Sequence, residues 1–467
     1  MTMPRPSSPR TQAARRVTDP RRLAVRLLGD LERGRKTLDA LMEGLDETAD
    51  LRDPRDRDLL NALVFGVLRW RGRLDYLIAR FSKTPLSKLD SPILNVLRTA
   101  LFQLVFMTRI PPSAAVHTAV NLAKTLSAPW VGAFVNAVLR KAAAEHATVG
   151  FPDPEDEPVK ALAAVWSFPE WLVKRWIDRY GREQAAELCE SINSIPSLTL
   201  RVNTLKATRS EVIAALLPEA EKVEAAAAAP DGIRVHGPRK RLKALAGFQQ
   251  GWYQVQDEAA QLVSLLLAPC PGETVLDGCA GRGGKTGHMA QLMGNRGVLV
   301  ALDPSSARLT ELRQEMQRLG VSIVSSLEAG LDTPIAAAPR QGFDRVLLDA
   351  PCSGLGTLRR NPDIKWAAGR KDLRRYHDIQ LRLLKQAAGH VKAGGVLVYA
   401  VCSPEPEETV DVIHAFVAKN PEFTSDGHAP DLPESVRPLM DPQGFLQTYP
   451  HLRYMDGFFA ARLRRAV

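Results

Sequence analysis

Two cysteines carry the strongest chemical signal in this chain. Cys352, in Asp349-Ala350-Pro351-Cys352-Ser353, and Cys402, in Tyr399-Ala400-Val401-Cys402-Ser403, each follow an apolar run that reads as a buried parallel strand. Parallel α/β sheets hold ligands just beyond the carboxyl ends of their strands, so thiols delivered from two such ends can meet over one substrate. Neighbouring strands lie about 4.8 Å apart, which permits the meeting. A free thiol, with a pKa of about 8.5, needs only modest activation to act as a nucleophile at neutral pH. Either cysteine alone reads as a small buried hydrophobe. Two in matching contexts point to covalent chemistry.

A second group precedes them. The strand-like run Thr274-Val275-Leu276 leads into Asp277-Gly278-Cys279-Ala280-Gly281-Arg282-Gly283-Gly284-Lys285-Thr286 and then a helix. Glycines at such a turn let the backbone approach a ligand closely, with helix N–H groups available. A phosphate-binding P-loop requires glycine where Cys279 stands, and the dinucleotide fingerprint requires one where Thr286 stands, so both fail. A nucleotide-like ligand with no phosphate requirement remains. The next run, Val298 to Leu302, ends at Asp303, whose carboxylate can accept hydrogen bonds from both ribose hydroxyls. Helix capping is its alternative role, which Ser305 or Ser306 can also fill. Glu328, with Asp332 behind it, is the candidate for a third acidic contact.

The elements that must position these groups follow from periodicity. Compact β-branched runs at Thr274–Leu276, Val298–Leu302, Arg345–Leu348 and Val396–Val401, separated in part by amphipathic helices such as Ala307–Leu319, predict a doubly wound, Rossmann-like domain over 251–467. A small α/β adaptor is expected over 160–250. Helical periods through Ala24-Leu27-Leu28-Leu31, Leu59 to Val67, Ile93 to Met107, Ala114 to Leu126 and Phe134 to Arg140 predict an all-helical domain over 19–148. An acidic, proline-rich linker follows it, and residues 1–18 read as a disordered basic tail.

Composition bounds the rest. At 467 residues the chain has room for two or three domains, and its net charge of +10 attracts polyanions, nucleic acid first among them; a generally basic proteome is the plainer alternative. No apolar stretch approaches the ~20 residues of a membrane span, and the N-terminus lacks a signal-peptide core. Five widely spaced cysteines suit reduced thiols in a cytoplasmic setting. No Cys-x-x-Cys or paired-histidine spacing suggests a metal. A monomer is the default.

These residues together resemble the RsmB (Sun/Fmu) branch of the S-adenosylmethionine-dependent RNA cytosine-C5 methyltransferases, over nearly everything after about residue 20. Cys279 to Thr286 is similar to that family's Cys-Ala-Ala-Pro-Gly-Gly-Lys-Thr loop, with Gly281-Arg282 standing in place of Ala-Pro. Asp349 to Gly354 followed by Arg359 to Trp366 resembles its catalytic segment, and Tyr399 to Ser403 the segment of its second cysteine. Val255-Gln256-Asp257 and Asp456-Gly457-Phe458-Phe459 resemble flanking motifs, and the helical region, with Phe134 to Leu139, resembles the NusB RNA-binding fold.

The resemblance implies S-adenosylmethionine held by Cys279, Ala280, Gly281, Arg282, Gly283, Gly284 and Lys285 with Asp303, Glu328 and Asp349. It implies Cys402 as the nucleophile toward C6 of cytosine and Cys352 as the thiol that assists release. Asp349 then either donates to N3 or shares a proton with it. The target must be unpaired or flipped out, and ribosomal RNA is favoured over transfer RNA. Arg359, Arg360 and Lys365 are candidates for holding flanking phosphates, or else form a solvated basic loop. A non-enzymatic RNA-binding factor on a relic fold is the rival reading.

Overall fold

A computed structural model describes residues 19–467 except 35–36, 49–50, 52, 129, 334 and 336–338, so the basic tail lies outside the described residues. The chain divides into two compact units, the first ending at Arg182 and the second running from Glu183 to Val467.

The first unit is helical: Pro20–Glu32, Leu38–Thr48, Pro54–Phe81, Ser91–Phe106, Pro112–Leu126, Trp130–Glu145, Pro158–Trp166 and Glu170–Tyr180. Two of its helices begin with Asp-Pro, where the aspartate accepts a backbone N–H and the proline sits at a position with no N–H to satisfy: Arg21 N donates to Asp19 Oδ1 at 2.9 Å, and Arg55 N to Asp53 Oδ1 at 2.8 Å. The apolar stripes meet in one core, which includes Leu27, Leu63, Val67, Leu97 and Val135. The unit continues past the proline-rich linker. Gly72 N donates to Ser167 Oγ at 2.8 Å and Trp70 packs on Trp166, so the helix Pro158–Trp166 packs against the long helix Pro54–Phe81.

The second unit holds two sheets. The smaller joins β1 (Leu198–Val202), β2 (Lys222–Ala225), β3 (Gly232–His236) and β4 (Tyr253–Val255) in the antiparallel order β2-β3-β1-β4. The larger contains β5 (Thr274–Asp277), β6 (Val298–Asp303), β7 (Val324–Glu328), β8 (Phe343–Asp349), β9 (Val391–Val401), β10 (Phe423–Ser425), β11 (Phe445–Gln447) and β12 (Phe459–Arg465). Its order is β10-β12-β9-β8-β5-β6-β7, with β11 also on β12.

The five strands β9-β8-β5-β6-β7 are parallel, and β10 to β12 add an antiparallel edge. The sheet is therefore mixed rather than wholly parallel. Alternate residues feed opposite faces: Val396, Val398 and Ala400 join a core with the helices Glu258–Leu267, Gly284–Leu292 and Ser306–Leu319, while Leu397, Tyr399 and Val401 join one with Arg370–Gly389 and Val410–Val417. The chain runs from β5 outward through β6 and β7, then returns to build β8 and β9 on the other side. The crevice between the carboxyl ends of β5 and β8 is thus the topological switch point, where such sheets bind ligands.

Candidate active site

The glycine turn leaves β5 at this switch point. Gly281 (φ 55°) and Gly283 (φ 83°) both lie in the left-handed region, and a Cβ on Gly283 would stand 2.8 Å from Leu312. Arg201, fully buried on β1, donates to the Gly284 carbonyl at 2.8 Å and to Gln254 Oε1 at 2.8 Å, and also bonds Gln256. It clamps the start of the helix Gly284–Leu292 to the smaller sheet. Burial draws this guanidinium down to about 9, which leaves it charged at neutral pH.

Beside the turn lies a cavity of about 250 Å³, lined by Gln256, Ala260, Asp277, Cys279, Ala280, Gly281, Arg282, Gly284, Lys285 and Asp349. Asp303, at the end of β6, accepts from Gly281 N (3.1 Å) and Ser305 N (2.8 Å), while Ser305 Oγ caps the following helix. Glu328 is its register partner on β7 and is exposed. Arg282 turns outward to Glu311 at 2.9 Å. Asp277 accepts from Thr286 Oγ1 at 2.7 Å through one oxygen; among the described residues its other oxygen, Oδ1, has no hydrogen-bond partner, nor has Gln256 Nε2. Burial, eased by Thr286 and reinforced by the charge of Asp349, pushes the Asp277 carboxyl up to about 6. Burial also takes the Cys279 thiol up to about 12, so it stays a neutral part of the wall.

Beyond β8 and β9 the two cysteines meet. Asp349 pairs with Ala400 across these strands, and Cys352 Sγ lies 3.2 Å from Cys402 Sγ. Both thiols are free and partly buried. The hydrogen bond with Cys402 and burial, followed by the charges of Cys402 and Glu408, hold the Cys352 thiol well above its ordinary range. Lys285 joins turn to thiols. Its ammonium bonds Asp349 Oδ2 at 2.6 Å, lies over the Phe458 ring and interacts electrostatically with Cys402. Burial works against this charge, but Asp349 outweighs it and keeps the Lys285 pKa above its usual value.

Three structural features went unseen in the sequence. The first is Glu408, buried six residues beyond Cys402. Its Oε1 accepts from Ser353 N (2.7 Å) and Gln380 Nε2 (3.2 Å), its Oε2 from Ser353 Oγ and Ser403 Oγ (2.5 Å each). Four donors match the four acceptor sites of one carboxylate. The residues just after both cysteines are thereby tied to a single group. Glu408→Ala leaves those donors unpaired in the interior and is expected to cost about 2–4 kcal/mol, read as a lower unfolding midpoint in denaturant. The second is Arg201. The third is Gly356, whose N donates to the Cys402 carbonyl at 2.9 Å; a Cβ there would meet Gly457 O at 1.8 Å.

The expectation that Arg359, Arg360 and Lys365 grip phosphates needs correction. Arg359 is buried on the Tyr454 carbonyl (3.0 Å) and Asp456 (3.4 Å). Arg360 bridges Asp456 (2.8 Å) and Asp257 (2.7 Å). Lys365 is 0% exposed and donates to Asn193 Oδ1 at 2.6 Å. Arg359 and Lys365 are thus buried, and Arg360, 27% exposed, is tied to two carboxylates, so their charges are engaged within the fold.

Sheet order, switch-point cavity and glycine turn define the class, a Rossmann-like methyltransferase domain with helical and small α/β appendages. Family models agree along the chain: NusB family over 18–144, the RsmF/B-like ferredoxin-like domain over 168–240, and 16S rRNA methyltransferase RsmB/F over 264–464. The chain is 37% identical over 455 residues to the probable ribosomal RNA small subunit methyltransferase B of Bacillus subtilis (strain 168), covering 96% of this chain and 99% of that one. It is 37% identical over 408 residues to ribosomal RNA small subunit methyltransferase B of Pseudomonas putida, covering 86% and 90%. The crystal structure of PH0851 superposes with a TM-score of 0.78 at 28% identity, over 96% of this chain and 99% of that one. The chain belongs to the RsmB/F family of 16S rRNA methyltransferases.

Proposed function

We propose that this protein methylates C5 of a cytosine in RNA, small-subunit (16S) ribosomal RNA foremost, using S-adenosylmethionine and a transient bond between Cys402 and C6 of the base. The observation that carries the reading is the 3.2 Å approach of two free thiols beside a cavity to which Lys285 and Asp349 connect them. The names of the relatives support the RNA substrate, and a cytoplasmic setting follows from it.

The donor set suits S-adenosylmethionine. Its amino-acid end is a zwitterion that needs an acceptor and a donor, and the cavity wall carries Asp277 Oδ1 and Gln256 Nε2 without protein partners. Asp303 and Glu328, register partners at the strand ends, suit the ribose, and Cys279 to Arg282 with Gly284 and Lys285 line the cavity itself. When bound, the group supplies an electrophilic methyl.

The cysteine chemistry follows from the inertness of C5. The Cys402 thiolate adds to C6, which gives C5 enamine character; after C5 is alkylated, it loses its proton to solvent water, the C6–S electron pair returns to the Cys402 sulfur as thiolate, and aromaticity returns. In this reading Lys285, which interacts with both Asp349 and Cys402, balances charge as a thiolate forms, and Asp349 shares a proton with N3 as charge builds on the ring. Cys352, held as a neutral thiol, serves as hydrogen-bond donor to the departing sulfur.

Bisulfite sequencing of ribosomal RNA from cells with and without the gene tests the assignment. A 16S cytosine protected only when the protein is present is expected, and an unchanged pattern overturns it.

Cofactor affinity has its own pH signature. An ammonium binds the ionised form of Asp277, whose pKa of about 6 means that protonation removes the partner as pH falls. Affinity should fall roughly tenfold for each pH unit below that value. Calorimetric titration on either side of pH ~6 checks it; equal affinities would remove Asp277 from the ammonium contact.

A further inference from the structure

Arg359 and Arg360 support an exposed ridge on the loop that follows Pro450–Arg453. Arg359 Nη2 holds the Tyr454 carbonyl at 3.0 Å and Arg360 Nη1 the Ser197 carbonyl at 3.4 Å, both over Asp456. The same loop is fastened to the catalytic segment through its main chain: Gly457 N donates to Gly356 O at 2.8 Å, and Gly356 N to Cys402 O at 2.9 Å. From this base stand Tyr454, 73% exposed, and Leu452, 65%, with Arg453 exposed between them.

Tyr454 is the informative residue. It ends the short helix Pro450–Arg453 with φ 56°, a left-handed position where glycine or asparagine is usual. A bulky aromatic there is strained, and with most of its ring in water it gains little packing in return. Strain retained beside reactive groups argues for use.

We propose that Tyr454, with its chain neighbours Leu452 and Arg453, is a stacking platform for unpaired nucleotides next to the target base in single-stranded RNA. An aromatic face accepts any base, the aliphatic side chain extends the apolar contact, and the guanidinium meets a phosphate or a second ring. The net charge of +10 favours a polyanion, and the main-chain link through Gly356 ties the loop that carries Tyr454 to Cys402. The proposal rests on the RNA-methyltransferase reading above.

Tyr454→Asn tests it, because asparagine accepts the left-handed backbone and should not lower the melting temperature. Tyr454→Gly is the second variant and Tyr454→Phe the control. The readouts are fluorescence anisotropy with a short labelled unpaired RNA of mixed sequence, Tm, cofactor affinity, and turnover on protein-free 16S RNA. Asparagine and glycine should each weaken RNA binding roughly tenfold and raise KM for RNA, with cofactor affinity unchanged, whereas phenylalanine stays within about twofold. Wild-type RNA affinity in both the Asn and Gly variants overturns the platform, including the case in which the ridge serves a protein partner. If wild type binds this RNA through Tyr454 but never methylates 16S RNA, the platform stands and the enzyme reading falls.

Discussion

Replacing Cys402 with alanine should eliminate methyl transfer, by at least about 10⁴-fold in kcat, while cofactor affinity stays within about twofold. The separation follows from geometry. Cys402 follows the last residue of β9, is held through its own carbonyl by Gly356, and is not among the residues lining the cavity beside the glycine turn. Alanine preserves that backbone and removes only the sulfur. The other thiols are poor replacements: Cys352 loses its bond to Cys402 in this variant but is still held protonated by burial and the charge of Glu408, and Cys279 is held at about 12. A single-turnover assay with labelled methyl donor decides the matter. Appreciable residual turnover in Cys402→Ala would move the nucleophile elsewhere, with Cys352 the first alternative.

What could be read from the residues was local. Strand-end thiols, a glycine turn and an acid after the second parallel strand are each set by neighbours a few positions away, and periodicity of two or 3.6 locates the elements that carry them. What escaped depends on partners distant in sequence. Arg359 and Arg360 sit in a loop that reads as solvated, yet Asp456 lies 97 and 96 residues on and Asp257 103 residues back from Arg360. Only the folded chain supplies the carboxylates that let those charges be buried. Glu408, in the acidic run Glu405-Pro406-Glu407-Glu408, reads as an exposed acid until Ser353 is brought to it from 55 residues away. Strand β2 lies at an alanine-rich stretch without a strand pattern, and its order comes from pairing with β3.

Cys352→Ala should have the opposite phenotype to Cys402→Ala. It should retain attack but stall release, so a protein–RNA species that survives denaturation accumulates on incubation with substrate RNA. In the adduct the Cys402 sulfur is bonded to carbon and must leave as a thiolate from a partly buried position, where an uncompensated negative charge is costly. The group placed to meet that charge is the Cys352 S–H, 3.2 Å away and held neutral. Glu408 anchors Ser353 and Ser403, the residue after each thiol, so removing the Cys352 sulfur leaves Cys402 in position while withdrawing the donor. Denaturing gel electrophoresis with end-labelled RNA should show a retarded band in Cys352→Ala, little in wild type, and none in the double variant. A double variant that still forms the band would mean the crosslink passes through another residue; a Cys352→Ala protein that turns over at the wild-type rate without a band would assign release to a different donor, with the Lys285 ammonium next in line.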